Sequence, residues 1–358
     1  MAVSASGPRL LPLRMTFNPP ATDPTSIYRY RDGLYAVDML TAALCHFDLF
    51  SRLAEHPSDL AGICRQLDAQ ARPADVMLTL FTAMGLLRRQ EGLFYLTDMA
   101  REHLVKSSPF FIGPYFASVQ ERPVCKDIVA VLRTGRATNW ASLRDEKAWA
   151  KAMESEGFAA RFTAAMDSRG GALGPALVRQ VDCSRHHRLL DIAGGSGVYA
   201  CVFAAHNPHL RAGVLEKSPV DRIARESVAA RGFSDRVEVI IGDMFSDPLP
   251  PDHDLHLFSN VLHDWDEELV RTLLAKSFAA LPAGGMIIIH DAHLNAEKTG
   301  PLPVAEYSAL LATITEGKCY SEKEMAGFLA DAGFVEFRHA LTAVDRSVIT
   351  ARKAKISP

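Results

Sequence analysis

Long apolar runs are missing from this sequence; Met286–Ile289 is typical of those it has. A bilayer-spanning helix needs about 20 apolar residues, so no membrane partner is expected. No sustained apolar stretch follows Arg9 and Arg14, and no signal peptide is read there. Paired cysteines are missing too. The six stand singly, at 45, 64, 125, 183, 201 and 319, with no Cys-x-x-Cys. That pattern argues against a disulfide framework or a cysteine zinc site and suits a reduced, cytoplasmic chain. Excess charge is absent: 39 Lys and Arg face 42 Asp and Glu, a net −3, which gives no general pull toward nucleic acid. Repeats and low-complexity tracts are absent as well. What is present is 48% apolar residues over 358 positions, enough for two packed domains.

Residues 1–26 hold several prolines and serines and read as a mobile arm. From Ile27 to about Leu104 the pattern is helical, then briefly extended. Leu60, Ile63 and Leu67 share a helical face, and Pro73 opens a further helix toward Gly85. Leu86 to Arg89, Glu91-Gly92 and Leu93 to Leu96 read as a small hairpin. Helices followed by a two-stranded wing suggest a winged-helix domain, and many such domains bind DNA. A DNA face needs a cationic excess. Between Ile27 and Leu104 there are eight Arg, no Lys and ten acids, so a dimerisation module is the preferred reading.

Residues 105–180 read as mostly helical, with a turn near Gly135. From Arg188 onward, strands alternate with helices: Leu189–Ile192, Ala212–Leu215, Val237–Ile241, Leu255–Phe258 and Met286–His290. This predicts a parallel sheet with crossover helices. The tail from Phe337 to Ala351, turning near Asp345-Arg346, reads as a closing antiparallel hairpin.

The strongest local signal is Leu189-Leu190-Asp191-Ile192-Ala193-Gly194-Gly195-Ser196-Gly197, a strand, a glycine-rich turn and a helix start. Glycine lets backbone pass close to a ligand. Gly195-x-Gly197-x-x-Ala200 also fits the dinucleotide fingerprint. Three features favour S-adenosylmethionine (SAM) instead. Asp191 at the strand end would repel a pyrophosphate but suits a cationic amino acid and sulfonium. Glu216 ends the second strand, placed for two ribose hydroxyls. After the third strand, in Gly242-Asp243-Met244-Phe245, Asp243 can accept from the adenine amino group, with Met244 against the ring. Acids at successive strand ends stand where open α/β sheets bind ligands.

With these residues, and with Val261-Leu262-His263-Asp264-Trp265-Asp266-Glu267, Glu322-Lys323-Glu324 and Ala332-Gly333-Phe334, the chain resembles the dimeric plant- and bacterial-type O-methyltransferases, caffeate-type and hydroxyindole-type enzymes among them. The resemblance covers nearly the whole chain. It implies an α/β Rossmann-like class I methyltransferase domain preceded by a mainly α winged-helix dimerisation domain. The units are expected at 1–115 (arm and dimerisation domain) and 116–358 (linker helices and catalytic domain). The resemblance also implies SAM as cofactor, a small-molecule methyl acceptor and a homodimer, with no nucleic-acid partner. Cofactor positions are then Asp191, Gly194, Gly195, Gly197, Glu216, Asp243, Met244, Phe245, Ser259 (where the family has a basic residue) and Met166, in a segment that lies over the SAM methionine.

At the reacting centre the family uses a histidine, here His263, as base toward the acceptor hydroxyl, oriented by two carboxylates. A histidine titrates near neutral pH, and a carboxylate fixes its tautomer. Asp291 matches the first carboxylate, but Cys319 stands at the second. His293 stands two residues after Asp291, and in extended chain the two would face one side. His263, Asp291 and His293 would then form a ligand set for zinc or non-haem iron. A metal there would favour C-methylation of a 2-oxo acid through its enolate, as in the α-keto acid C-methyltransferase branch. This is the first expectation, and the alternative is O-methylation of a phenol or enol with His263 as base. His290 is expected to be packed or hydrogen-bonded, His253 and His256 to be exposed, and Cys319 to be a buried small side chain.

Overall fold

The computed structural model describes residues 17–138 and 153–354. Most of the expected arm, residues 1–16, lies outside them. Its last part is held: Phe17 packs edge-on to Phe233, ring centroids 5.3 Å apart.

The N-terminal part is helical. It runs through α1 (Thr25–Asp32), α2 (Ala36–Thr41, extended by a π-turn Ala42–His46), α3 (Leu49–Glu55), α4 (Leu60–Leu67) and α5 (Ala71–Ala83). Strands β1 (Leu87–Gln90) and β2 (Leu93–Leu96) follow, then α6 (Asp98–Leu104), α7 (Gly113–Ala117) and α8 (Pro123–Thr134). Local chemistry sets the boundaries. The Asp59 carboxylate accepts from the Gly62 N–H at 2.7 Å and caps α4. Glu91 (φ 51°) and Gly92 (φ 83°) both take left-handed backbone, which suits a two-residue hairpin turn and pairs Gln90 with Leu93. Gly135, at φ 73°, stops α8.

The remaining chain forms one seven-stranded sheet. After α9 (Glu156–Val178) come β3 (Arg188–Ile192), α10 (Val198–His206), β4 (Arg211–Glu216), α11 (Val220–Ala230) and β5 (Val237–Ile241). Then follow β6 (Leu255–Ser259), α12 (Glu267–Ala280), β7 (Met286–Asp291), α13 (Leu302–Ile314), α14 (Glu322–Asp331), β8 (Phe334–Leu341) and β9 (Ser347–Lys353). The order is β5-β4-β3-β6-β7-β9-β8; the first five are parallel, and β9 runs antiparallel to β7 and β8. This is the expected Rossmann-like sheet with its closing hairpin. Side chains alternate across it. Leu189, Leu257 and Ile288 pack under α9, α10 and α11, whereas Leu190, Phe258 and Ile289 pack under α12 and α14. Strand order reverses between β4 and β6 around β3, which opens a crevice at the carboxyl ends.

One helix joins the two parts. α13 is apolar, and Val304, Ala305, Ala309 and Leu311 share a single core with Met77, Phe81 and Leu44 of the N-terminal helices. α8, beyond the expected boundary after residue 115, contributes Cys125, Ile128 and Leu132 to that core. Polar ties reinforce it: Lys298 and Lys318 both reach Asp75 of α5 and Glu324 of α14. Among the described residues, no single helix is long and apolar enough to cross a membrane.

Candidate active site

The carboxyl ends of β3, β4 and β5 bring the three expected acids together. Asp191 is buried; its Oδ2 accepts from the Ala200 N–H at 3.2 Å, while Oδ1 has no partner. Burial, opposed by that N–H, pushes its carboxyl up to about 7. Glu216 accepts from the Gly195 N–H at 2.8 Å and the Lys217 N–H at 3.1 Å, and burial pushes it up to about 7 as well. Asp243 accepts from the Phe245 N–H at 2.8 Å and faces Lys217 Nζ at 2.9 Å. Burial alone would raise its pKa, but these partners hold it below the usual value. A buried and a half-buried carboxyl, both raised toward neutrality and one with an orphaned oxygen, fit a cationic ligand with paired hydroxyls. The backbone agrees: at Gly195 (φ 60°) a side chain would meet nothing within 4 Å, so the turn faces open space.

Helix α9 lies beside this turn. Asp167 joins the Ser196 hydroxyl to the Arg231 guanidinium. At Gly170 an added Cβ would come within 2.3 Å of Val198, so α9 and α10 cross closely. Met166, four residues earlier on α9, is half-buried. Phe245 meets Trp265 edge-on at 4.7 Å, with Met244 half-buried beside it. Ser259 points its hydroxyl to His290 Nδ1 at 2.9 Å. Its neighbour Asn260 was not anticipated. It is buried in left-handed backbone (φ 56°), donates to the Tyr199 hydroxyl at 3.2 Å and leaves Oδ1 unpaired.

The reacting centre stands beyond β6. His263 lies on a single 3₁₀ turn, Leu262–Asp264, with Nδ1 2.5 Å from Asp291 Oδ1 at the end of β7. The Ala292 N–H also donates to Asp291 at 2.8 Å. Burial would raise the Asp291 pKa, but the imidazole beside it holds the carboxyl well below the carboxylate range. Burial likewise opposes charge on His263, yet Asp291 and then Asp264 outweigh it and raise the imidazole above its ordinary value. Asp264 Oδ1 is 3.5 Å from Nε2. The backbone of Gly317 presses on the same turn, where a Cβ would lie 2.2 Å from the His263 carbonyl oxygen. Arg72 of α5 holds that loop by donating to the Gly317 carbonyl at 2.8 Å.

His293 does not complete a metal set. Strand β7 ends at Asp291, so the two-residue alternation is not maintained beyond it. His293 turns Nδ1 to the Ser347 hydroxyl at 2.8 Å, and Nε2 is buried without a partner. Burial drives its pKa down to about 4. His263 Nδ1 is committed to Asp291. Among the described residues, no three His, Cys, Asp or Glu side chains are grouped to hold a metal ion. The zinc or iron set of His263, Asp291 and His293 is therefore corrected to a His263–Asp291 pair. Two other histidines also differ from expectation. His253 and His256 are buried, not exposed: His253 lies against Gly213, and His256 Nδ1 meets the Ser277 hydroxyl at 2.8 Å. His290 is packed and hydrogen-bonded, and Cys319 is a buried thiol, as expected.

Known proteins give this arrangement a context. The family model for the O-methyltransferase domain matches residues 126–335. A curated relative, 3-hydroxy-5-methyl-1-naphthoate 3-O-methyltransferase of Streptomyces sahachiroi, is 33% identical over 89% of this chain and 92% of its own. Among solved structures, an O-methyltransferase family 2 protein from Planctomyces limnophilus in complex with apigenin has a TM-score of 0.85 and 33% identity. It covers 94% of this chain and 98% of that one. A structure described as PigF with SAH has a TM-score of 0.59 and 26% identity, over 93% of this chain and 100% of that chain.

Proposed function

This chain belongs to the O-methyltransferase domain family, and we propose that it methylates a hydroxyl on an aromatic small molecule, with His263 as the base. That it is a SAM-dependent methyltransferase acting on small molecules follows from the family. The finer reading rests on the His263–Asp291 contact of 2.5 Å beside the three acids of the crevice. The naphthoate named for one relative and the apigenin bound in another's structure are both hydroxylated arenes.

When bound, SAM supplies an electrophilic methyl group. The residues of the chain do the rest. Asp191 would accept from the amino-acid end and Glu216 from the ribose hydroxyls, with Asp243, Met244 and Phe245 around the base and Gly194, Gly195 and Gly197 giving backbone room. Met166 would lie over the methionine arm, and Ser259 would act through its contacts with His290 and Asn260. Asp291 holds a proton on His263 Nδ1, which leaves the Nε2 lone pair free to take the acceptor's hydroxyl proton. Asp264 then faces the imidazolium. Alignment of acceptor and methyl donor supplies much of the rate.

We also propose a homodimer formed through the N-terminal helices of the 1–115 unit. Ile27 (71% exposed), Tyr30 (86%), Leu34 and Val37 leave apolar surface along α1 and α2, and Tyr115 (81%) adds to it. Light scattering on the purified chain tests this, and a monomer would overturn it. The chemistry is tested by incubating the enzyme with SAM and a panel of phenols, and reading methyl ether and S-adenosylhomocysteine by mass spectrometry. A chain that binds SAM but methylates no phenol would refute the proposal.

A further inference from the structure

Near His263 stands a cation to which the steps above assign no role. Arg169, on α9, donates from one guanidinium nitrogen to the Tyr307 hydroxyl at 3.1 Å. No carboxylate among the described residues pairs with it, and its Nε and other terminal nitrogen have no partner. Those nitrogens are not sealed away, unlike Trp265 Nε1 or Arg346 Nε. The charge of the nearby arginine is already paired: Arg346 meets Asp32 at 3.1 Å and stacks over the Tyr307 ring at 4.4 Å. Asp291 is committed to His263.

Position gives the open guanidinium edge its meaning. The buried Tyr307 ring stands edge-on to the His263 imidazole, centroids 5.7 Å apart, and its hydroxyl touches Arg169. The base and the cation thus flank one tyrosine. A half-buried guanidinium is costly to leave without an anion. Its planar edge, Nε with one terminal nitrogen, matches a carboxylate through two parallel hydrogen bonds.

We propose that Arg169 selects acceptors whose hydroxylated ring also carries a carboxylate. This rests on the aromatic O-methylation reading above. The acceptor hydroxyl meets His263 while its carboxylate meets Arg169, so one anchored group orients the other. Arg169 is thus a specificity residue rather than the base.

The test compares a hydroxynaphthoate with its primary amide, which keeps the ring and hydroxyl but drops the charge. Wild-type enzyme should favour the acid by about tenfold or more in kcat/KM. In Arg169→Gln the ratio of acid to amide should fall toward one, and Arg169→Lys, which keeps the charge without the planar edge, should lie between. A thermal melt with SAM present checks folding, and if the Gln variant fails it, the Lys variant and the wild-type ratio decide. No wild-type preference for the acid overturns the proposal, as does a ratio that the variants leave unchanged. A weakened SAM dissociation constant with that ratio unchanged also overturns it, by assigning the guanidinium to the carboxylate of the cofactor. Wild-type turnover of the amide but not the acid sinks this inference alone. Turnover of neither these nor any other phenol sinks the underlying function.

Discussion

The two ends of the crevice are built differently. At the cofactor end, Asp191, Glu216 and Asp243 stand at the tips of three adjacent parallel strands, and backbone N–H groups of the adjoining turns and of α10 hold them. At the acceptor end, His263 comes from a 3₁₀ turn, Asp291 from a strand terminus, Tyr307 from α13 and Arg169 from α9. The first site is a property of the sheet. The second is an agreement among elements far apart in the chain, so substitution should affect the two ends in different quantities: SAM affinity at one, turnover and acceptor choice at the other.

The largest expected effect lies at the acceptor end. His263→Ala removes the group proposed to take the hydroxyl proton, and turnover should fall by about 100- to 10,000-fold, the usual range for a lost general base. SAM affinity, measured by calorimetry, should hardly change. A comparable loss of SAM affinity would mean that the two ends are not separable.

Asp291→Asn comes next, with a loss of about 10- to 100-fold in kcat, and it makes a claim about pH. Asp291 raises the His263 pKa against the opposing effect of burial. The base acts when neutral, so the acidic limb of the wild-type kcat profile should lie above the ordinary imidazole value. Removing the carboxylate's charge should move that limb to lower pH while lowering the plateau. A limb that stays in place would show that the profile reports another group.

The cofactor end answers with its own pH dependence. Loss of solvent pushes the carboxyls of Asp191 and Glu216 up to about 7. A bound ammonium and sulfonium need Asp191 ionised, so SAM affinity should rise with pH through about 7 and level off above it. Binding near neutrality should release protons, which calorimetry in buffers of different ionisation enthalpy measures. Asp191→Asn should remove most of that release and weaken SAM by about 10- to 100-fold, the equivalent of one charge-assisted hydrogen bond.

This contrast also explains what could be read in the sequence. The parallel strands, the glycine turn and the three acids at the strand ends follow from short-range signals, a period of two and a run of glycines; the strands fall within a residue of their expected limits, while the closing hairpin begins at Phe334 rather than Phe337. Asp291 was reached through resemblance, and its contact with His263 depends on how β6 and β7 end side by side. Arg169, Asn260 and Tyr307 were missed because nothing local marks them; residues 105–180 read only as mostly helical, and no signal singled out the segment that forms α13. His253 and His256 were misread because acids flank them in sequence, although His256 lies on β6, covered by helices on both faces, and His253 packs against Gly213 of β4. Spacing tells which side chains share a face, but not what covers it.

His293 is the sharpest case of that limit, and it carries the smallest expected effect. Spacing alone made it a ligand beside Asp291, but β7 ends two residues before it, and the ring turns to Ser347 instead. Its contribution is then one buried hydrogen bond offset by an orphaned Nε2. His293→Gln, which can still reach the serine, should alter stability by about 1 kcal/mol. Turnover should stay within about threefold, because disturbing a metal site costs about 10- to 100-fold. A chelator should likewise leave the wild-type rate unchanged. If the chelator abolished turnover and His293→Gln did the same, the ring would have to swing from Ser347 toward His263. The acceptor end would then be a metal centre, and the contrast between the two ends would have to be redrawn.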